Sequence, residues 1–371
     1  MSGSRRRIGY SYLLEQFADI DPYLEDIRAL VKTGDFTLGK PLGEFEEKFA
    51  RLLDLPYAIG VGTGTDALML SLKILGVGPG DEVITTPNTF VATVGAIAMA
   101  GARPVFVDNN EEYTIDVTKI EETVTPRTKA IMPVHLTGCP ADMPRIMEIA
   151  HRHNLLVVED AAQAILAAID GKSVGSWGAA AGFSLHPLKN LNIWGDGGVI
   201  VTRSAELADN LRLFRNHGMA TRDEIDFWSH NCRLDTLQAV IANRLLEQVH
   251  AITDRRIANA RLYDEAFADL AEFINVPPRR SNFKQVYHTY VLRVRNRDRL
   301  YQFLLSKGVE AKIHYPIPLH LQKAAGYLGY KKGDFPQCEA DCHTIITLPV
   351  HQHLQSSQIE FVIDCIRNFY H

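Results

Sequence analysis

Apolar positions along this chain fall into two alternating regimes. Short runs without polar interruption, such as Tyr57-Ala58-Ile59-Gly60-Val61, are followed by stretches with apolar residues three and four apart. The runs at 57–61, 82–86, 104–107, 130–134, 155–158 and 199–202 predict strands. Helical spacing predicts helices over 20–32 (ended by Gly34), 43–53, 67–75, 91–101, 143–154, 205–215 and through 235–269. Continuous apolar strands separated by helices argue for a parallel sheet buried on both faces. Asn275-Val276-Pro277-Pro278 reads as a connector. Beyond it, 287–294 alternates as a strand, 300–307 forms a helix ended by Gly308, and 358–370 forms a last helix. The pattern predicts an α/β chain in two domains: a large one with an N-terminal arm over 1–250, and a smaller C-terminal α/β domain over 251–371.

Composition narrows the class. A chain of 371 residues with 46% hydrophobic and 22% charged positions can bury a large core. A net charge of −5 excludes a strong pull toward nucleic acid or an anionic membrane. The most apolar segments, such as 91–100, are too short to span a bilayer. Arg5-Arg6-Arg7 reads as a solvated end rather than a targeting signal, since no apolar core follows it. Five widely spaced cysteines, an odd number with no CxxC pair, do not form a disulfide framework. A reducing, cytoplasmic setting is expected. His351 and His353 alternate but have no third ligand at convincing spacing, so no metal is expected.

Active sites in buried parallel sheets lie at the carboxyl ends of strands. Thr65, Phe90, His135, Asp160 and Gln163 all sit there. Gly62-Thr63-Gly64-Thr65-Asp66 leads from a strand into a helix. Its unpaired first N–H groups and the helix dipole suit an anion, although Thr65 or Asp66 also serves as an ordinary N-cap. Asp160 ends an apolar run and requires a partner, either a helix N-terminus, an arginine or a protonated ring nitrogen of a cofactor. Gln163 follows one helical turn later. Lys189 is the only lysine between Lys172 and Lys284. It is either a solvated lysine or an amine held in a semi-apolar loop, where it can lose its proton and attack carbonyls as an arginine cannot. His186 lies close by, as a partner for substrate or cofactor or as a packed loop residue.

These segments together resemble one family. They are Thr63-Gly64-Thr65-Asp66-Ala67, Thr89-Phe90-Val91-Ala92-Thr93, Val134-His135-Leu136-Thr137-Gly138 and Glu159-Asp160-Ala161-Ala162-Gln163-Ala164. Phe183-Ser184-Leu185-His186-Pro187-Leu188-Lys189-Asn190, Gly195-Asp196-Gly197-Gly198, Arg215-Asn216-His217-Gly218 and Asn231-Cys232-Arg233-Leu234-Asp235 follow in order. The chain resembles the pyridoxal-phosphate sugar aminotransferases of the DegT/DnrJ/EryC1/StrS type from about residue 30 to the end. That resemblance implies the aspartate aminotransferase-like fold (fold type I). It implies that Lys189 holds pyridoxal 5'-phosphate, Asp160 keeps its ring nitrogen protonated, Phe90 stacks on the ring and Gln163 bonds the ring hydroxyl. Gly64, Thr65 and Ser184 hold the phosphate, and Asn231 reaches it from the neighbouring subunit, which implies an obligate homodimer with shared sites. His186 is a candidate substrate contact, and His314, Tyr315 and His320 are expected either to line the substrate mouth or to fold the small domain. The implied reaction moves an amino group from an amino acid, by family habit glutamate, to a nucleotide-linked keto sugar. The alternatives are a free keto sugar, sugar acid or cyclitol as acceptor, or a cofactor-binding regulator. A deoxysugar dehydratase of the same fold is disfavoured, because such relatives have histidine at the lysine position.

Overall fold

The computed structural model describes residues 7–371. Arg5 and Arg6 of the basic start lie outside the described residues. Arg7 pairs with Glu310 at 3.0 Å.

A seven-stranded sheet forms the centre. Its order is Tyr57–Val61, Gly198–Thr202, Ala180–Ser184, Leu156–Asp160, Thr128–Ile131, Glu82–Thr85 and Arg103–Phe106. The sheet is mainly parallel, as the unalternating runs predict. Gly198–Thr202 alone runs against both neighbours. A parallel return requires a crossover, usually a helix. The loop over 185–197 contains no helix, so the chain doubles straight back beside Ala180–Ser184.

Both faces of the sheet are buried, and successive residues divide between them. Val199 and Val201 pack with Phe49, Phe183 and Leu245 on one side. Ile200 packs with Leu68, Ile97 and Leu211 on the other. This double burial is why the strands read as continuous apolar runs. A second, antiparallel sheet of Ile274–Asn275, Tyr290–Val294 and Ile345–Leu348 lies under Arg297–Ser306 and Ser356–Tyr370. The helix Val249–Phe267 passes between the cores: Val249 and Ile252 belong to the first, Tyr263 and Phe267 to the second.

Expected bounds shift by up to three residues, and three of the differences have a visible cause. The helix expected over 67–75 is Gly64–Ile74, and Thr63 caps it. The Thr63 hydroxyl accepts from the Asp66 N–H and donates to the Asp66 carboxylate, each at 2.9 Å, so neither Thr65 nor Asp66 is the cap. The helical stretch through 235–269 breaks into Thr236–Leu246 and Val249–Phe267, across a tight turn in which Gln248 N donates to Leu245 O. The strand expected over 287–294 begins at Tyr290, because Tyr287 has a φ of 48° and turns the chain. Ile345–Leu348 and the two-residue strands Ala168–Ile169, Lys172–Ser173 and Phe283–Lys284 carry no readable period.

One buried ion pair ties the helix Lys40–Leu52 to the sheet. Glu46 accepts from the Gly60 N–H at 2.8 Å and pairs with Arg215, which also donates to Gly60 O at 2.7 Å. Breaking a buried pair from one side leaves the other charge uncompensated, which costs about 3–5 kcal/mol. Glu46→Ala should lower the unfolding free energy of the cofactor-free protein by about that much in denaturant titration. Glu46→Gln, which keeps the acceptor oxygen, should lose less.

Candidate active site

The strand order places the candidate residues side by side. Leu156–Asp160 runs parallel to Ala180–Ser184, with Asp160 opposite Gly182. Both strands end at one cavity of about 340 Å³. Gly64, Thr65, Phe90, Asp160, Gln163, Ser184, His186, Lys189, His314 and Tyr315 all line it.

One corner is the N-terminus of Gly64–Ile74 facing Ser184. A Cβ on Gly64 would stand 2.8 Å from the Ser184 Cβ, so only glycine allows this approach. A Cβ on Gly198 would meet Thr63 O at 2.2 Å, which explains the last glycine of Gly195-Asp196-Gly197-Gly198. The corner offers unpaired helix N–H groups and a hydroxyl, and no arginine lines the cavity.

The floor is Asp160, 5% exposed. Its Oδ2 accepts from the Thr93 hydroxyl at 2.6 Å and its Oδ1 from the Ala162 N–H at 3.1 Å. Burial raises its pKa above the ordinary carboxylate range, against the opposing pull of these donors and of Lys189. Gln163 Oε1 accepts from the Thr137 N–H at 2.8 Å. That leaves the amide NH2 to donate, here toward the Tyr315 hydroxyl.

Lys189 is held by its backbone. Its N–H donates to His186 O at 2.8 Å, and its own carbonyl accepts from the Tyr12 hydroxyl at 2.8 Å. Burial pushes the Nζ pKa down to about 8, while the Asp160 charge resists that shift. The amine is therefore largely neutral only above about pH 8. The cavity histidines are pushed the same way. Burial, then Lys189, holds His186 below its usual value and His314 at about 4, and His288 lies well below the usual value for the same leading reasons.

Phe90 is half exposed, its ring 6.1 Å from that of Tyr315. Two expected residues lie elsewhere. His320 is a correction: it is buried, bonds Glu339 at 3.0 Å and packs on Phe335 at 4.7 Å, away from the cavity. The apolar cluster of Phe106, Leu328 and Phe335 draws it inward. Asn231 is exposed, outside the cavity of its own chain, its Oδ1 accepting from Arg233 N at 3.3 Å.

The cavity also gathers residues the sequence reading did not select. Tyr10 comes from the N-terminal segment and stands 5.6 Å from the His314 ring. No spacing signal connects it to residues far along the chain. His288 reaches the cavity because Tyr287 turns the chain; its buried Nδ1 has no hydrogen-bond partner. Thr93, which lies behind the cavity and bonds Asp160, had a signal: it repeats Thr89 four residues on, in the helix that follows the strand Glu82–Thr85.

The pH behaviour of Lys189 is testable. Its depressed pKa makes the protonated amine a destabilising presence, fully felt below about pH 8 and relieved as pH rises toward the ordinary lysine value of 10.5. Competitive acetylation with peptide mapping should place the Lys189 midpoint near pH 8. Asp160→Asn removes the charge that favours the protonated amine, so the midpoint should move lower. An upward move would contradict this electrostatic picture.

The comparisons with known proteins agree with this geometry. The family model described as the DegT/DnrJ/EryC1/StrS aminotransferase family matches residues 19–367. A protein of Geobacillus stearothermophilus named pleiotropic regulatory protein is 41% identical, over 96% of this chain and 97% of its own. The UDP-N-acetyl-3-dehydro-alpha-D-glucosamine 3-aminotransferase of Acidithiobacillus ferrooxidans is 40% identical, over 95% of this chain and 94% of its own. The crystal structure of NtdA from Bacillus subtilis with bound cofactor PMP superposes with a TM-score of 0.89 at 30% identity, covering 98% of this chain and 86% of that one. Nearly the whole chain, including every cavity residue named above except Tyr10, lies within the matched span, and the chain belongs to the DegT/DnrJ/EryC1/StrS aminotransferase family.

Proposed function

We propose that this protein is a pyridoxal-phosphate aminotransferase that moves an amino group from an amino acid, glutamate by preference, onto a nucleotide-linked keto sugar. The observation that carries the reading is a lysine and a buried carboxylate lining one cavity together with the helix N-terminus at Gly64 and Thr65.

The residues fit that cofactor on three counts. Asp160 is buried without a firm cationic partner, and a protonated ring nitrogen supplies one. The Gly64 and Ser184 corner, with Thr65, presents donors to a phosphate at a distance only glycine permits. Phe90 offers an open aromatic face and Gln163 an amide donor. When bound, the cofactor supplies an aldehyde that takes up an amino group and a ring that withdraws electrons from the carbon losing its proton. Lys189 Nζ would hold that aldehyde and, as a free amine, would move the proton at the substrate carbon. Asp160 keeps the ring nitrogen charged. His186, His314 and Tyr315 form the substrate side.

A regulator that only binds the cofactor is the second reading, favoured by the printed name of the Geobacillus relative. The intact set of Lys189, Asp160 and Gln163 around one cavity favours catalysis instead. The nucleotide-linked acceptor is supported by the UDP-sugar relative, over a free sugar, sugar acid or cyclitol. In this reading residues 1–250 carry the cofactor and 251–371 close the substrate side. Five buried, unpaired cysteines suit the cytoplasm.

The test combines trapping with turnover. Borohydride reduction after incubation with pyridoxal phosphate, followed by peptide mapping, should find the pyridoxyl group on Lys189. Glutamate and a panel of UDP-linked, dTDP-linked and free keto sugars should then give aminated nucleotide sugars by mass. A label on any other lysine sinks the cofactor assignment. Equal turnover of free sugars favours the broader acceptor class, and loading without any transfer favours the regulator.

Assembly has its own prediction. If Asn231 serves the partner's phosphate site in a homodimer, Lys189→Ala and Asn231→Ala chains should complement each other. A mixed dimer then keeps one site with both residues intact and one lacking both. Co-expression should restore up to half of wild-type activity per mixed dimer, relative to an Asn231→Ala homodimer that is itself severely impaired. No recovery would place both residues in one chain's site.

A further inference from the structure

We propose that Thr93, backed by Thr89, is the positioning residue that keeps Asp160 ionised and aimed into the cavity. The inference rests on the cofactor reading above, in which Asp160 must stay anionic against the ring nitrogen.

The geometry is a directed chain of hydroxyls. Thr93 Oγ1 lies 2.6 Å from Asp160 Oδ2, and Thr89 Oγ1 lies 2.8 Å from Thr93 Oγ1. A hydroxyl has one proton to donate. Thr93 spends its proton on the carboxylate, so Thr89 donates to Thr93. Both O–H dipoles then point at Asp160, and this direction holds only while the carboxylate accepts. The contact has the short length of a charge-assisted bond. Donation to the charged form favours that form, and opposes the burial that favours the neutral acid.

Thr93 is fully buried and does not line the cavity, so it acts through Asp160 and not on substrate. Thr89 lines the cavity edge. The other groups facing Asp160 are Ala162 N–H, Lys189, His135 and the Tyr315 hydroxyl. His135 is already engaged: its Nδ1 accepts from Ala141 N–H at 3.0 Å, so its Nε2 donates to Glu159 at 3.2 Å. Glu159 is satisfied by that bond and by the N–H groups of Gly175, Trp177 and Gly178. Lys189 loses its charge as the pH rises through about 8. Thr93 is the side-chain donor to Asp160 whose contribution does not vary with pH.

The test reads Asp160 directly in the cofactor-free protein. Infrared titration of carbon-13-aspartate protein, differenced against Asp160→Asn, isolates this one carboxyl. Thr93→Val keeps the volume and removes the donor. It should raise the Asp160 midpoint by about one pH unit, a roughly tenfold change in ionisation constant. Thr93→Ser should restore the wild-type midpoint, and Thr89→Val should shift it upward by less. In the loaded enzyme Thr93→Val should lower kcat for the amino donor about tenfold and change KM little. An unmoved midpoint in Thr93→Val, or no rescue by serine, overturns the proposal. Should Thr93→Val not fold, an unmoved midpoint in Thr89→Val overturns it. Failure of Lys189 to take up the cofactor would sink the functional reading while leaving the titration informative; an unmoved midpoint in an enzyme that loads normally would sink only this inference.

Discussion

Withholding water from one amine and one carboxylate, at the same end of the same sheet, is the constraint the rest of this structure serves. Each group alone resists burial, because charge is costly away from water. Lys189 responds by giving up its proton more easily, and Asp160 by holding one more readily. Their mutual attraction opposes both tendencies. The pair is thus poised: a lysine that becomes nucleophilic near pH 8, and a carboxylate whose charge hydroxyl and amide donors defend.

Holding that pair requires parts from distant segments. Adjacent parallel strands set Asp160 opposite Gly182, two residues before Ser184. The loop over 185–197 needs no helix, because the chain returns antiparallel, so Lys189 sits on a short span fixed at both ends. Tyr12 from the N-terminal segment pins the Lys189 carbonyl, and Asn190 reaches Val286 O at 3.0 Å. Arg256, 2% exposed, stacks under Tyr12 at 5.0 Å and donates to the carbonyls of Tyr287 and His288. One buried guanidinium therefore connects the lysine loop, the N-terminal segment and the turn that carries His288 into the cavity.

The mouth of the cavity follows from the same arrangement. His186, His288 and His314 share a compartment with Lys189, and burial beside that amine disfavours their protonated forms. A substrate entering near neutral pH meets neutral imidazoles, tyrosine hydroxyls, helix N–H groups and the Lys189 amine, which is largely protonated below about pH 8, and no arginine lines the cavity.

Much of this was legible in the chain. The central strands were readable because double burial leaves no polar alternation, as in Ala58 and Ile59 or Val199, Ile200 and Val201. Asp160 stood out because a carboxylate ending an apolar run demands a partner, and Lys189 because it is the only lysine between Lys172 and Lys284, in a segment that matches the family. What the sequence could not decide was set by contacts between segments far apart in it. The start of the helix at Gly64 depended on a hydroxyl–carboxylate exchange between Thr63 and Asp66. His320 turned inward because an apolar cluster and Glu339 satisfy it better than water does. Tyr10 and His288 reached the cavity through a bridge of Ile8 to Val309 and a positive φ at Tyr287, neither of which leaves a period. By itself the sequence determined which residues must be hidden from water, because burial imprints a local pattern. Only the tertiary structure decided which hidden residues meet, because hydrogen bonds and packing between distant segments leave no pattern along the chain.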